Sequence, residues 1–297
     1  HPLVGGVSVS VSSYYNSLKD EGLEVTNIQG NQVHHLLFFR PKFVHFNYSL
    51  PSKRFFGTLI GKLIGAKVVH TIHGNEFSIE NKFNALTVAL SHKIFFLNAL
   101  LAKKNKLSVK DKGRIVTPVL AINTKRSDSY IPIIIKEDKY SYVLVYANSN
   151  ASINGVEVYG IKFIIEMLPE IGQLGFRVVI VDPSGAYGED IAVARKQYQV
   201  DVIYLNYPVD FKSLLKDVDL YVRPTSSDGQ SVAVLESLAL GTPVLASDVV
   251  PRPSGVTTYK FYNRKDFLKQ LSRATMAGAM PPKLTSVKKY KEELENE

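Results

Sequence analysis

The stretch that most constrains the fold is RPTSSDGQSVAVLESLALGTPVLASD, residues 223–248. It predicts a polar loop with Gly229 at its tip, a helix that begins near Ser231, and a short apolar strand from Val244 to Ala246. Gly241 followed by Pro243 is a residue pair that ends a helix in a left-handed turn and prevents its continuation. The sequence therefore defines both ends of this helix.

The polar groups of this loop and helix favour a sugar nucleotide as the ligand. The first N–H groups of a helix lie at the positive end of its dipole and bind phosphates, and Gly229 lets a ligand approach the backbone closely. Ser231 occupies the cap position and Asp228 stands just outside it. Glu236, in an otherwise apolar helix, can accept two hydrogen bonds from a ribose diol. Taken singly, these side chains are also typical of an ordinary helix cap and a solvent-facing carboxylate.

The same residues resemble the signature of the group 1 glycosyltransferases, family 4-like retaining enzymes of the two-domain glycosyltransferase B fold. That signature is an acidic residue, seven further residues, a Glu, and then G-x-P-V-[VI]-A-[ST]. Asp228 and Glu236 have this spacing, and GTPVLAS matches the tail. RPTSSDGQSV and DVVPRPSGV resemble one branch of the family that is found among polysaccharide-building enzymes. The resemblance implies transfer of a sugar from a nucleotide sugar with retention of configuration, without a cofactor or an essential metal.

The resemblance also implies which residues form the site. As catalytic residues it indicates Asp228, which would orient the donor sugar, and His73, which would contact the transferred sugar, with His45 as a second position nearby. For donor binding it indicates backbone and side-chain groups at Gly5, Gly6, Tyr207, Gly229, Gln230, Ser231, Val232 and Glu236. A Gly pair or a lone His, taken by itself, is more often only structural.

One departure from the family pattern concerns the donor diphosphate. Most members place an Arg after the first strand of the second domain and a Lys at the start of the next helix. This chain has Asn148 and Tyr159–Gly160 in those neighbourhoods, and Lys162 is the nearest cation. The departure keeps open an alternative function, a catalytically weak or inactive homologue that binds a nucleotide sugar or a glycan.

Short apolar runs that alternate with helical segments predict an α/β fold with parallel sheets. The runs LEVTNI, KFVHFNY and KVVHTI are the first predicted strands, and a strand before them is expected to be missing ahead of His1. At 297 residues the chain is long enough for two domains. We predict two Rossmann-like domains whose sheets face each other across a cleft: residues 1–135 for the acceptor and 136–297 for the nucleotide sugar.

Charge is distributed unevenly along the chain. Residues 1–135 contain 17 Lys and Arg against 7 Asp and Glu, a net charge of +10, whereas the rest contains 19 against 20. Such an excess indicates an anionic partner: a phosphorylated lipid headgroup, a membrane surface or nucleic acid. The basic amphipathic segment 52–67 can lie on an anionic membrane, or can pack its apolar face on the sheet with its charges solvated.

Several classes of function are disfavoured. GTLIGKL lacks the length and the Ser or Thr of a P-loop, and no GxGxxG follows a predicted strand. His70 and His73 lack a third clear metal ligand, so no metal site is expected. A nucleic-acid-binding protein is suggested by the sequence pI of 9.4, but no recognition motif accompanies it. The chain has no cysteine, no apolar run long enough to span a bilayer and no signal peptide. We expect a cytoplasmic protein, peripheral at the inner face of the membrane, with a glycan or lipid-linked acceptor and no nucleic-acid partner.

Overall fold

A computed structural model of the chain describes residues 6–28, 30–73, 77–97, 99–107, 113–115, 134, 136–284 and 286–295. The chain divides into two compact units. Unit 1 comprises His1–Ala121 together with Lys283–Glu297, and unit 2 comprises Ile122–Pro282. Each unit is built on a parallel sheet, so the predicted α/β fold with two Rossmann-like domains is confirmed.

Among the described residues of unit 1, four parallel strands form a sheet in the order β1-β2-β3-β4. They are β1 (Phe43–Phe46), β2 (Lys67–Ile72), β3 (Lys93–Phe96) and β4 (Gly113–Ile115). The accompanying helices are α1 (Gly6–Asp20), α2 (Leu36–Phe39), α3 (Pro51–Leu63), α4 (Lys82–Leu90) and α5 (Ala99–Lys104), with a 3-10 turn over Gly30–His35. Strands β2 and β3 are buried almost throughout, which is typical of parallel strands with both faces covered.

The predicted strand LEVTNI is wrong, because residues 23–28 form no regular structure. Leu23 packs beside Tyr14 in one apolar cluster, and Ile28 packs beside Val44 and Val68 in another. The apolar side chains of this segment are therefore accommodated by packing alone, without backbone pairing to the neighbouring strand.

Unit 2 carries a six-stranded parallel sheet in the order β12-β11-β10-β5-β8-β9 and a small antiparallel hairpin, β6-β7. The strands are β5 (Ser141–Tyr146), β6 (Ser152–Ile153), β7 (Val156–Glu157), β8 (Phe176–Val181), β9 (Val202–Leu205), β10 (Leu220–Arg223), β11 (Val244–Ser247) and β12 (Val256–Tyr259). The helices are α6 (Ile161–Glu166), α7 (Leu168–Gln173), α8 (Gly188–Tyr198), α9 (Phe211–Leu215), α10 (Val232–Ala239) and α11 (Arg264–Met276).

The strand order of unit 2 locates a place for a ligand. The chain proceeds from β5 through β8 to β9 on one side, and then crosses to β10, which pairs with the other side of β5. In open α/β sheets, ligands bind at the carboxyl ends of the strands where the order reverses. In unit 2 this point lies at the ends of β5 and β10.

The last helix, α12 (Val287–Glu295), returns to unit 1. Its Val287 and Tyr290 are buried in a cluster with Tyr14, Val69 and Phe95. The apolar stripe of this charged helix thus assigns it to unit 1, whereas the sequence-based limits placed it in the second domain. In the part of the chain that the structure describes, no helix is long and apolar enough to cross a membrane.

Candidate functional site

The amino end of α10 lies where the sequence predicted it. Ser231 has extended backbone angles, and its hydroxyl accepts a hydrogen bond from the N–H of Val234 at 3.4 Å. At the other end, Gly241 adopts the left-handed conformation with φ of +86°, and the N–H of Thr242 donates to the carbonyl of Ser237. The positive end of the α10 dipole therefore faces the loop of residues 224–230.

Asp228 lies at the centre of a buried ion-pair cluster. Its two oxygens accept hydrogen bonds from Nε and Nη2 of Arg223, both at 3.1 Å, and from Nη1 of Arg252 at 2.7 Å. The Thr225 hydroxyl and the N–H of Gly229 also donate to this carboxylate. Burial raises the pKa of Asp228, but the two guanidiniums outweigh burial and hold the pKa below its ordinary value. Asp228 is therefore ionised and firmly fixed.

Arg252, in the loop between β11 and β12, is the most enclosed member of the cluster, with 3% of its side chain exposed. Besides Asp228, it donates to the carbonyl of Ser247 at 3.0 Å, and to the hydroxyls of Thr225 and Ser247. Arg223, the last residue of β10, has 13% of its side chain exposed and lies over the ring of Tyr159 at 5.6 Å. Arg223 is thus the guanidinium more accessible to a ligand.

The cluster carries an excess of positive charge, because two guanidiniums face one carboxylate. A buried cluster with this imbalance, at the positive end of a helix, favours an anion. Sequence reasoning did not single out Arg223 or Arg252. Both nevertheless stand in the quoted segments RPTSSDGQSV and DVVPRPSGV, so their place beside Asp228 in the motif was the available signal.

The residues found where the resemblance implies an Arg and a Lys form a support for Arg223. Gly160 has φ of +69°, and a Cβ on it would lie 2.0 Å from the carbonyl oxygen of Pro224, so only glycine fits. The N–H of Ser226 donates to the carbonyl of Val158 at 2.9 Å. The Tyr159 hydroxyl donates to Asn148 Oδ1. Segment 158–160 therefore fixes the loop that carries the cluster.

The amino end of α6 is capped by the protein itself. The carboxylate of Glu157 accepts hydrogen bonds from the N–H groups of Ile161 and Lys162 at 2.9 and 3.0 Å. The ammonium of Lys162 lies 3.8 Å from Asp190 on an exposed surface. Lys162 is therefore engaged on the surface of unit 2, and the cations near Asp228 are Arg223 and Arg252.

Glu236 lies about one and a half turns along α10 from Ser231 and is half-buried. Burial is the main cause that raises its pKa to about 7; Lys212 opposes the shift and Asp210 adds to it. The carboxylate thus lies in the electrostatic neighbourhood of Asp210 and Lys212 at the start of α9. Tyr207 lies exposed in the loop before α9.

The remaining predicted donor residues fall in three places. Gly229 and Gln230 are half-buried in the loop, and Val232 is buried in the first turn of α10. Gly6 is the first residue of α1 in unit 1. Gly5 lies outside the described residues.

A second polar group, in unit 1, contains the predicted His45 and His73. His45 Nε2 lies 2.6 Å from the Thr71 hydroxyl, and its Nδ1 contacts the Tyr290 hydroxyl of α12. His73 Nε2 lies 2.7 Å from Asn47 Oδ1. Burial is the main cause that lowers the pKa of His45 to about 3 and that of His73 to about 4. Both imidazoles are therefore neutral at neutral pH.

Sequence reasoning did not find Asn47, Thr71 or Tyr290, because the fold brings them to the histidines from distant segments. His70, the third histidine of this region, is fully buried, with Nε2 2.8 Å from the Thr58 hydroxyl and its ring stacked on Phe46. It is structural. Among the residues that the structure describes, no three His, Asp or Glu side chains are grouped as metal ligands.

Comparisons with known proteins relate unit 2 to a glycosyltransferase family model and most of the chain to solved structures. Residues 149–276, most of unit 2, match the family model described as glycosyl transferases group 1. No curated protein matches the chain in sequence. Among solved structures, TarM is 16% identical with a TM-score of 0.60, over 82% of this chain and 50% of its own. The chain thus spans half the length of TarM.

Two further structures cover more of their own length. HepE from Anabaena, in complex with UDP and glucose, is 11% identical with a TM-score of 0.64, over 92% of this chain and 89% of its own. Sucrose-phosphate synthase from Thermosynechococcus elongatus is 13% identical with a TM-score of 0.59, over 91% and 84%. These likenesses show the glycosyltransferase B type of fold.

Proposed function

We propose that this chain is a retaining glycosyltransferase that moves a sugar from a nucleotide-sugar donor to a glycan or lipid-linked acceptor in polysaccharide or glycoconjugate synthesis. The observation that carries the proposal is the excess positive charge of Arg223 and Arg252 around Asp228 at the amino end of α10, with Glu236 further along the same helix. The family match over residues 149–276 and the UDP bound to HepE support it.

In this proposal the donor diphosphate lies at the amino end of α10, against Arg223 and the backbone of the loop. Gly229, Gln230, Ser231 and Val232 form that backbone and the first turn of the helix. The ribose hydroxyls donate to Glu236, and the nucleobase lies near Tyr207. The ligand thus follows α10 from its cap toward its middle.

Charge on the leaving diphosphate increases as the sugar bond breaks. Arg223 and the α10 dipole are already oriented before the reaction, so they stabilise this charge without reorganising. Because both oxygens of Asp228 accept hydrogen bonds from arginines, we assign it mainly to holding Arg223 in place. This differs from the direct contact with the donor sugar that the resemblance implies. His73 is kept as the candidate for contacting the transferred sugar, as a neutral hydrogen-bonding group.

Ligand-observed NMR with a panel of nucleotide sugars, beginning with UDP-glucose, will identify the donor. Release of the nucleoside diphosphate is then followed in the wild type and in Arg223→Met, Glu236→Gln and the control Glu166→Gln. Glu166 is an exposed carboxylate on α6. We expect Arg223→Met to lower turnover about 10²-fold or more, and Glu166→Gln to leave it unchanged. Unchanged turnover in Arg223→Met would exclude the assigned role of the cluster.

A second candidate function is a weak or inactive homologue that binds a nucleotide sugar without turning it over. The observation that favours it is Glu157, which occupies the amino end of α6 where the resemblance implies a cation for the diphosphate. This alternative predicts donor binding in the NMR panel but no release of nucleoside diphosphate with any acceptor.

A further inference from the structure

Helix α3 packs on the sheet of unit 1 through its smallest residues. A Cβ on Gly57 would lie 3.1 Å from the ring of Phe46, and one on Gly61 would lie 2.5 Å from Cγ2 of Val68. Thr58 is buried on the same face of the helix. The sequence left two alternatives open for this segment: an apolar face on an anionic membrane, or an apolar face packed on the sheet with its charges solvated. The structure divides the apolar face, because Ile60 and Ile64 pack against the core of unit 1. The close approach at the two glycines leaves other large side chains of the helix outside.

Two large apolar side chains of α3 face outward. Leu63 is 82% exposed and Phe56, two turns earlier on the same face, is 56% exposed. The rings of Phe55 and Phe56 contact that of Phe83 on α4, with centroids 5.6 and 6.4 Å apart. An apolar strip therefore runs along the outside of α3 and onto α4.

Helix α2 packs against α3 and exposes further apolar side chains. Leu36 is buried beside Ile60 and Ile64 of α3, and this contact fixes α2 against the end of α3. The next residues are exposed: Phe38 to 82% and Phe39 to 60%. Two adjacent phenylalanines in water cost free energy unless something covers them.

The sequence around α2 and α3 carries only basic charges. Between Glu24 and Glu76 the sequence contains six Lys and Arg and no Asp or Glu. Lys53 and Lys62 are exposed on α3 itself, and Lys62 and Lys67 line a shallow cavity of about 510 Å³ at its carboxyl end. We name this surface the basic apolar face and define it by the half-buried Lys67 and by nine exposed apolar and basic residues: Leu37, Phe38, Phe39, Arg40, Lys42, Lys53, Phe56, Lys62 and Leu63.

We propose that the basic apolar face binds the surface of an anionic lipid bilayer. Aromatic and aliphatic side chains enter the boundary between headgroups and acyl chains, while neighbouring lysines pair with lipid phosphates. A second copy of the chain is disfavoured as the occupant, because a symmetric contact would bring the same positive charges face to face. The proposal does not depend on the proposed function, since it uses no residue of the donor site.

The test is co-sedimentation of the full chain with vesicles of phosphatidylcholine alone or mixed with phosphatidylglycerol, at low and high salt. We expect binding to the mixed vesicles only, and weaker binding at high salt. The double variant Phe38→Glu/Leu63→Glu should bind at least about tenfold more weakly. Lys53→Gln and Lys62→Gln should each weaken binding about fivefold.

The matched control is Met276→Glu, because Met276 is 87% exposed but lies in unit 2. It should bind vesicles like the wild type, and circular dichroism should show that all variants are folded. The proposal is overturned by absence of vesicle binding, by equal binding to neutral vesicles, or by an equal loss in Met276→Glu. A concentration-dependent dimer in light scattering that Phe38→Glu/Leu63→Glu abolishes, without vesicle binding, would identify a second copy as the occupant instead.

Discussion

The arginine cluster of unit 2 and the histidine group of unit 1 treat buried titratable side chains in opposite ways. Unit 2 buries charges and pairs them, with Asp228 held between Arg223 and Arg252. Unit 1 keeps His45 and His73 uncharged, with pKa values lowered to about 3 and 4, and joins them to neutral partners. Unit 2 is therefore suited to an anionic ligand, whereas this part of unit 1 offers hydrogen bonds without net charge, as a hydroxyl-rich ligand requires.

Their helices differ as well. In unit 1, α3 approaches the sheet through Gly57 and Gly61 and leaves Phe56 and Leu63 outside. In unit 2, α10 buries Val234, Leu235 and Leu238 in the ordinary way. The family match also lies within unit 2. The region matched by the family model and the proposed donor motif thus lie in one unit, and the basic apolar face lies in the other.

The largest effect is expected when the ion pairing of unit 2 is broken. Arg252→Met removes a buried guanidinium and leaves Asp228 with less compensation, which should lower the free energy of unfolding by about 3–5 kcal/mol. Arg264→Met is the control, because Arg264 is half-exposed and pairs with Glu170 on the surface, where a salt bridge contributes at most about 1 kcal/mol. Urea unfolding followed by circular dichroism measures both. Equal losses would show that burial does not distinguish these pairs.

The second-largest effect is expected when a helical glycine is replaced by alanine. The change in the free energy of unfolding should be a loss in unit 1 and a gain in unit 2. Gly61→Ala places a methyl group against Val68 and should destabilise unit 1 by about 1–3 kcal/mol. In unit 2, Gly172 of α7 has no atom within 4 Å of an added Cβ, so Gly172→Ala should stabilise by up to about 1 kcal/mol. Thermal unfolding of the two variants is the measurement, and a stabilised Gly61→Ala would contradict the close packing of α3.

A pH dependence is expected from Glu236, whose pKa is raised to about 7 by burial. The ionised carboxylate accepts ribose hydroxyls best, so donor affinity should rise through pH 7, by up to about tenfold between pH 6 and 8. Stability should change in the other direction. A pKa raised from 4.5 means that this residue's contribution is fully present below pH 4.5 and is lost as the pH rises through 7.

Glu236→Gln is the control for both trends, since it keeps the shape of the side chain and removes its titration. Calorimetric titrations with the donor and urea unfolding, each repeated between pH 5 and 8, should show flatter profiles for the variant. Identical pH profiles in the wild type and in Glu236→Gln would assign the dependence to another residue.

The smallest change in the free energy of unfolding is expected among the uncharged hydrogen-bonding partners of His45 in unit 1. Tyr290→Phe removes the hydroxyl that contacts His45 and should lower the free energy of unfolding by about 0.5–1.5 kcal/mol. Tyr198→Phe, at an exposed position on α8 of unit 2, should change it by less than about 0.5 kcal/mol. A loss for Tyr290→Phe as large as that for Arg252→Met would contradict the distinction between the neutral and charged groups.

The parts that the sequence predicted correctly depend on local signals. The cap at Ser231, the stop at Gly241 and Pro243, and strand β11 each follow from a few adjacent residues, and the alternation of strands and helices was sufficient for the fold class. Gly160 is an intermediate case. Its place in the sequence was noted, but its close contact with Pro224 is visible only in the structure.

The parts that it did not predict depend on contacts between distant segments. Arg252 reaches Asp228 across 24 residues, and Tyr290 reaches His45 across 245. The face that α3 turns to the sheet was left open for a related reason. The size of a side chain suggests burial, but the close approach of Gly61 to Val68 decides which face of the helix fits. Residues 23–28 also depend on distant segments, because an apolar run forms a strand only where a neighbouring strand pairs with its backbone.

The most direct measurement of the central claim compares uridine diphosphate with uridine by calorimetry, in the wild type and in Arg223→Met. If the diphosphate lies against Arg223 at the amino end of α10, uridine diphosphate should bind Arg223→Met at least about tenfold more weakly, while the affinity for uridine stays the same. Equal affinity of the two proteins for uridine diphosphate, or an equal loss for both ligands, would contradict it.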